Sequence, residues 1–222
     1  MKLFGSAIAI SLALLTSPAS AVPITFEFGT EGTGSIFSPQ LSNDYDYYGA
    51  IIGGIELKVR GYEDVDLDPI GKDVSGEFGD QEQVTRDTRG RHQGLGVHSD
   101  DGDTQQLNGD SEDEALRFFL SAPGALTQIV FNNWGSNDAF DLSVDGIGTL
   151  NNEDPQGGIW NGFLSFDSTF AIGADSDRER FRIRSITVDI PSAAIASVPE
   201  PGTIALLAIG IIGLVSSRRR VR

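Results

Sequence analysis

Residues 180–190 read RFRIRSITVDI. Phe181 and Ile183 fall on odd positions, whereas Ile186, Val188 and Ile190 fall on even ones. Successive side chains of a strand point to opposite faces, so one regular strand cannot bury both sets. A β-bulge at Arg184–Ser185 inserts the extra residue that keeps a single apolar face inward along the whole segment. A register error or a strand break at the same point is the alternative. With the bulge, this is a long core strand, and it sets the expectation for the rest of the chain.

Working outward, the same two-residue period recurs. Ile24, Phe26 and Phe28 alternate with Thr25 and Glu27, and Ile55, Leu57 and Val59 alternate with Glu56, Lys58 and Arg60. Leu116, Phe118 and Leu120 form a strand turned by Pro123-Gly124, and residues 126–134 (LTQIVFNNW) form the next. Phe140, Leu142 and Val144 alternate with Asp141, Ser143 and Asp145, and Asp145-Gly146 is a hairpin turn. Leu164–Phe166 and Phe170–Ile172 are two short strands. Residues 80–111 read mostly as loop, broken by Leu95-Gly96-Val97, and a loop of that length is a functional candidate. No stretch of the core carries a helical period. The expected fold is all-β: a single antiparallel β-sandwich, jelly-roll-like, over residues 22–194, with its first and last strands paired.

The flanks read differently. Lys2, the apolar run Leu3–Leu15 and the Ala19-Ser20-Ala21 site have the order of a secretory signal peptide over residues 1–21. Residues 195–202 make a linker that carries Val198-Pro199-Glu200-Pro201. Residues 203–217 are an apolar run expected to form a transmembrane helix, and 218–222 are a basic tail. The apolar run is short for a span, and snorkelling side chains at its end make up the difference. Arg218, Arg219, Arg220 and Arg222 hold that end on the cytoplasmic side. This order of Pro-Glu-Pro, hydrophobic helix and arginine cluster resembles the PEP-CTERM sorting signal of Gram-negative bacteria. The resemblance implies recognition and cleavage near Pro199-Glu200-Pro201 by an exosortase, from a precursor anchored in the inner membrane. It also implies delivery to the cell surface or an exopolysaccharide-rich matrix. Gly94-Leu95-Gly96-Val97, the acidic stretch after it and residues 114–121 (EALRFFLS) are similar to β-sandwich modules of PEP-CTERM proteins, which supports the fold and adds no activity.

Composition narrows the function. The formal net charge is -16, and the part between the two flanks is more acidic still, so a nucleic-acid backbone is excluded as a partner. With no cysteine, thiol catalysis and cysteine metal sites are excluded too. Asp100, Asp101, Asp103, Asn108, Asp110, Glu112, Asp113 and Glu114 crowd one stretch, with oxygen ligands of the kind Ca²⁺ takes. Their spacing is not that of an EF-hand, because Gln106 stands where its glycine belongs. Asp64-x-Asp66-x-Asp68 fails likewise before Pro69. A solvated acidic loop is the other reading.

Trp134 and Trp160, with Tyr45, Tyr47 and Tyr48, could stack on sugar rings beside Asn132, Asn133 and Asp138. Core packing of both tryptophans is the plainer alternative. Arg86, Arg89 and Arg91 could meet an anionic polysaccharide or balance nearby acids. No Gly-x-Ser-x-Gly occurs, and His92 and His98 match no zinc-protease spacing, so no enzyme is expected. The sequence therefore describes an exported, non-enzymatic surface or matrix component with structural or adhesive duty. It requires no cofactor, and a calcium-stabilised carbohydrate-binding module is the alternative.

Overall fold

The computed structural model describes residues 20–31, 34–37, 47–67, 71, 73–74, 78–89, 92–98, 106–109, 113–174 and 179–192. Residues 1–19 of the signal peptide expected over 1–21, the linker expected over 195–202, the apolar run and the basic tail lie outside them. Among the described residues no helix is long and apolar enough to cross a membrane.

Fourteen strands are described. The first half comprises β1 (Ala21–Glu27), β2 (Ser35–Phe37), β3 (Tyr47–Ile52), β4 (Ile55–Tyr62), β5 (Gln81–Asp87), β6 (Gly94–His98) and β7 (Leu107–Asn108). The second comprises β8 (Glu114–Leu120), β9 (Gly124–Asn132), β10 (Phe140–Val144), β11 (Ile147–Glu153), β12 (Ile159–Phe166), β13 (Thr169–Ala174) and β14 (Arg180–Pro191). All pairings are antiparallel. Strand neighbours run β11-β10-β13-β8-β4-β5-β6-β14-β9-β12, with β1 and β7 on β14 and β2-β3 on β4.

The all-β expectation is met, with one change of architecture. A jelly-roll sandwich has two separate sheets. Here one sheet curls on itself, and its two faces are joined through β5 and β6. The joins are short: β4 meets β5 at Gly61–Glu82 and Tyr62–Gln81, and β6 meets β14 at Ile183–Leu95. The two layers still enclose one main core, with Phe26, Phe28, Leu57, Val59, Leu116, Phe118, Phe140, Ile172, Ile183 and Val188 fully or almost fully buried. Phe118 stacks on Phe170 at 4.8 Å, and Phe28 meets Tyr48 edge-on at 5.2 Å. Such pairs add about 0.5–1.5 kcal/mol each beyond their burial.

The strand that opened the sequence reading lies at the centre of this arrangement. β14 pairs with β1 along seven residues, from Ala21–Pro191 to Glu27–Ser185, and with β9 on its other side. Ile183 faces Phe131 while Ser185 faces Val130, so Arg184 is the extra residue of a bulge. Phe181, Ile183, Ile186, Val188 and Ile190 are all buried, and Arg184 is exposed. The bulge has a second use. Its carbonyl accepts the N–H of Phe28 at 2.7 Å and that of Gly29 at 3.3 Å, which holds the chain where the β1–β14 ladder stops. Further along, Thr187 faces Gln128 and Val188 faces Leu126, so β9 carries a compensating bulge at Thr127 and the register is restored.

The stretch read as loop over residues 80–111 instead contains β5, β6 and β7. The period was hidden because β5 turns Glu82 and Val84 inward, so an acidic side chain occupies one of two buried positions. Residues 47–52 also form a strand, which no alternation of apolar side chains announced. A two-residue turn at Gly53-Gly54, both at positive φ, then folds it onto β4.

The Asp145-Gly146 turn occurs as read, with φ of 49° and 79°. The Asp145 carboxylate reaches across to the β12–β13 turn and accepts the N–H groups of Asp167 (2.6 Å), Ser168 (3.0 Å) and Thr169 (3.0 Å). What burial it has raises its pKa, but the three N–H donors outweigh that and the carboxyl titrates below its ordinary range.

Two expectations follow. Deleting Arg184 puts Phe181 and Ile183 on the wrong face and should abolish cooperative unfolding seen by circular dichroism, whereas Arg184→Ala should fold. A deletion variant that unfolds like the parent would contradict the bulge. Because the folded pKa of Asp145 lies below the unfolded one, its contribution is present above about pH 4 and lost as pH falls through the folded value. Asp145→Asn keeps a residue that tolerates positive φ. It should cost on the order of 1 kcal/mol or less near neutral pH, since solvent screens the site. In urea melts at a series of pH values the gap should close in acid, and a constant gap would rule out the charge.

Candidate functional site

Of the acidic candidates, Asp100, Asp101, Asp103, Asp110 and Glu112 lie outside the described residues. Glu114 lies inside, as the first residue of β8, and its side chain is buried. Its Oε2 accepts the Asn108 N–H at 2.9 Å, which fastens β7 to β8. Glu114 and Asp141 line one narrow cleft beside Val65, Leu67 and Gly173. Asp141 accepts the Asn152 N–H at 2.7 Å across the bulged β10–β11 pair. Among the described residues no three His, Asp or Glu side chains are grouped to hold a metal ion.

The aromatic candidates do come together. Trp134 follows β9 and lies 4.6 Å from Phe131, 5.3 Å from Phe181 and 6.5 Å from Phe140, ring centre to ring centre. Trp160, on β12, meets Phe140 edge-on at 6.3 Å. Both indoles are half-buried and close one end of the main core. Each is backed by a glycine. A Cβ at Gly158 would stand 2.8 Å from Trp134 Cβ, and one at Gly162 would overlap the Trp160 indole.

Their expected polar partners are engaged within the fold instead. Asn132 donates to the Gln93 carbonyl at 2.9 Å, and Asn133 donates to Gln106 Oε1 at 3.0 Å. Asp138 accepts the Arg180 N–H at 3.0 Å and, with its other oxygen, the Gly135 N–H. It therefore clasps the turn after β9 to the start of β14. Tyr48 is fully buried, and burial raises its pKa against the opposing charge of Arg86. Tyr47 carries Lys58 Nζ over its ring at 4.2 Å, and Tyr45 lies outside the described residues.

The three arginines do not act as one patch. Arg86 donates to the carbonyls of Phe28 (2.9 Å), Gly34 (2.7 Å) and Thr30, and so holds the loop after β1. Arg89 pairs with Glu31 at 3.3 Å, both well exposed. Arg91 lies outside the described residues. His92 is exposed and His98 half-buried on β6.

One feature escaped the sequence reading. β12 is an edge strand that starts at Ile159, five residues before the Leu164 expected from alternation. Opposite β9 it carries an extra residue between Asn161 and Leu164, and Phe163 in that bulge is 68 % exposed. Phe163 borders an open groove of about 310 Å³ that crosses the outer face to Pro123, Asp189 and Pro191. The one available signal was a glycine-aromatic pair interrupting an apolar run.

The expected sorting residues Val198, Pro199, Glu200 and Pro201, with Arg218, Arg219, Arg220 and Arg222, lie beyond the described residues. Residues 197–220 match the PEP-CTERM protein-sorting motif. The motif supports an exported chain with a membrane-anchored precursor, and an exosortase as processing partner. No curated protein and no solved structure matches the chain.

Proposed function

We propose that this protein is cut near Pro199-Glu200-Pro201 by an exosortase and then serves, without enzymatic activity, as a structural or adhesive component of the surface or of an exopolysaccharide matrix. The observation that carries the sorting half is the motif at residues 197–220. It stands a few residues beyond the last strand of a folded β domain, so the folded part and the processing signal are in series. The two prolines keep the backbone between them out of helix, which leaves that stretch extended for a processing enzyme.

The matrix half is supported by how the polar groups of the domain are used. Asn132, Asp138, Asp145 and Arg86 all hold backbone. A scaffold of this kind suits load-bearing better than turnover. The half-buried Trp134 and Trp160 keep a glycan contact open as the finer form of adhesion, and a calcium ion on the Asp100–Glu114 stretch would serve the same role by ordering it.

Processing is the test. In a strain that has the exosortase, Glu200→Ala should accumulate as the full-length membrane-bound chain, read by immunoblot of membrane and released fractions. A Glu200→Ala chain trimmed and released like the parent would overturn the proposal.

A further inference from the structure

We propose that the outer face of β3, β4 and β8 is a binding site for an anionic polysaccharide, held by Lys58, Arg60 and Arg117 with the rings of Tyr47 and Phe119 beside them. The polymer class rests on the matrix reading proposed above, whereas the cations and rings follow from the strands themselves. β3, β4 and β8 turn Tyr48, Ala50, Leu57, Val59, Phe118 and Leu120 into the core, so the residues alternating with them face outward. In the register of these strands Arg60 stands directly opposite Arg117, and Lys58 opposite Phe119. On its other side Lys58 faces Gly49 of β3, which places no side chain beside it. Opposed residues lie about 5 Å apart, Cα to Cα, and Lys58 and Arg60 about 7 Å apart along their strand. Three cations thus share one patch in a chain whose net charge is -16.

Like charges directly opposite each other destabilise a sheet, and the fold does not neutralise this pair. Arg60 donates to the neutral Gln81 Oε1 at 2.8 Å. Arg117 lies over the rings of Phe78 at 4.7 Å and Phe119 at 5.2 Å, and Lys58 Nζ over that of Tyr47 at 4.2 Å. Among the described residues no carboxylate forms an ion pair with Arg60 or Arg117. The acid of β4 is Glu56, exposed at the far end of the face from Arg60. An incoming carboxylate would relieve the repulsion, and a guanidinium takes one with two parallel N–H···O bonds. The rings add flat apolar surface for the C–H face of a sugar, and an open sheet face admits a polymer where a cleft would not. At about 0.15 M salt, charges more than about 8 Å from the patch are screened, so the acids elsewhere on the chain do not override it.

The test titrates the full chain, in a neutral detergent and at that salt, with polygalacturonate and reads binding by biolayer interferometry. Two control polymers separate the contributions: the fully methyl-esterified form keeps the sugar rings without the charge, and polyglutamate keeps the charge without the rings. Polygalacturonate should bind at least about tenfold more tightly than either, and Lys58→Gln with Arg60→Gln should weaken it about tenfold or more with an unchanged circular dichroism spectrum. Lys58→Gln alone repeats the test should the double change impair folding. No binding, equal binding of polyglutamate, or binding that survives the double change would each overturn the site. Fractionation of the producing cells keeps this apart from the matrix reading. A double variant retained in the polysaccharide fraction like the parent overturns the site and leaves that reading standing, whereas a parent chain absent from that fraction overturns both.

Discussion

The bulge at Arg184 is the constraint on which the other features depend. One extra residue lets β14 present Phe181 and Ile183 on one side of it, and Ile186, Val188 and Ile190 on the other, to the same core. A regular strand would expose one of those groups, at a cost of about 1.5–3 kcal/mol for each large apolar side chain left in water. The bulged carbonyl then accepts the Phe28 and Gly29 N–H groups, which fixes where β1 stops. The opposing bulge at Thr127 returns the register, and the extra residue in β12 lies at the same level of the sheet. That bulge is what turns Phe163 out to solvent. The outward-facing groove is thus a consequence of how three neighbouring strands absorb extra residues.

A second theme is the use of side chains where ladders end. Without disulfides, the turns of this sheet are fastened by polar groups that accept or donate to backbone. Asp145 takes three N–H groups from the neighbouring turn, Asp138 joins the turn after β9 to β14, and Arg86 gathers three carbonyls of the loop after β1. Hydrogen bonds to charged groups contribute about 1.5–3 kcal/mol where solvent is excluded and less where it is not. The many acids of this chain are therefore not only a solvated surface.

Legibility in the sequence followed the strength of the two-residue period. The strands with three alternating apolar side chains, around Phe26, Leu57, Phe118, Leu142 and Val188, were all legible, and so were the parity change at Arg184 and the pairing of first and last strands. β5 was not, because Glu82 occupies an inward position. Only the end of β12, Leu164–Phe166, was legible, because Gly162 and Phe163 break the alternation before it. The closure of two layers into one curled sheet rests on two residue pairs between β4 and β5 and one between β6 and β14, and no local pattern reports contacts so few. For the site, the sequence singled out Trp134 and Trp160 but gave no sign that Phe140 lies between them. It offered Asn132, Asn133 and Asp138 as ligand partners, whereas each is committed to its own backbone or to Gln106. The sorting motif was legible in full because its signal is linear, a fixed order of unlike segments that needs no tertiary contact to be read.

The export signal and the β domain meet at β14, whose end leads into the segment that carries the Pro-Glu-Pro residues. The rest of the fold therefore depends on β14 as its most firmly held element. Native-state amide hydrogen exchange measures this directly. Amides of Ile183 to Val188, those of Ile129 to Phe131 facing them, and the Phe28 amide bonded to the bulge carbonyl should be among the slowest in the chain, opening only with global unfolding. Fast exchange of Phe28 and of the residues flanking Arg184, with the slowest amides confined to β10 and β13, would contradict it.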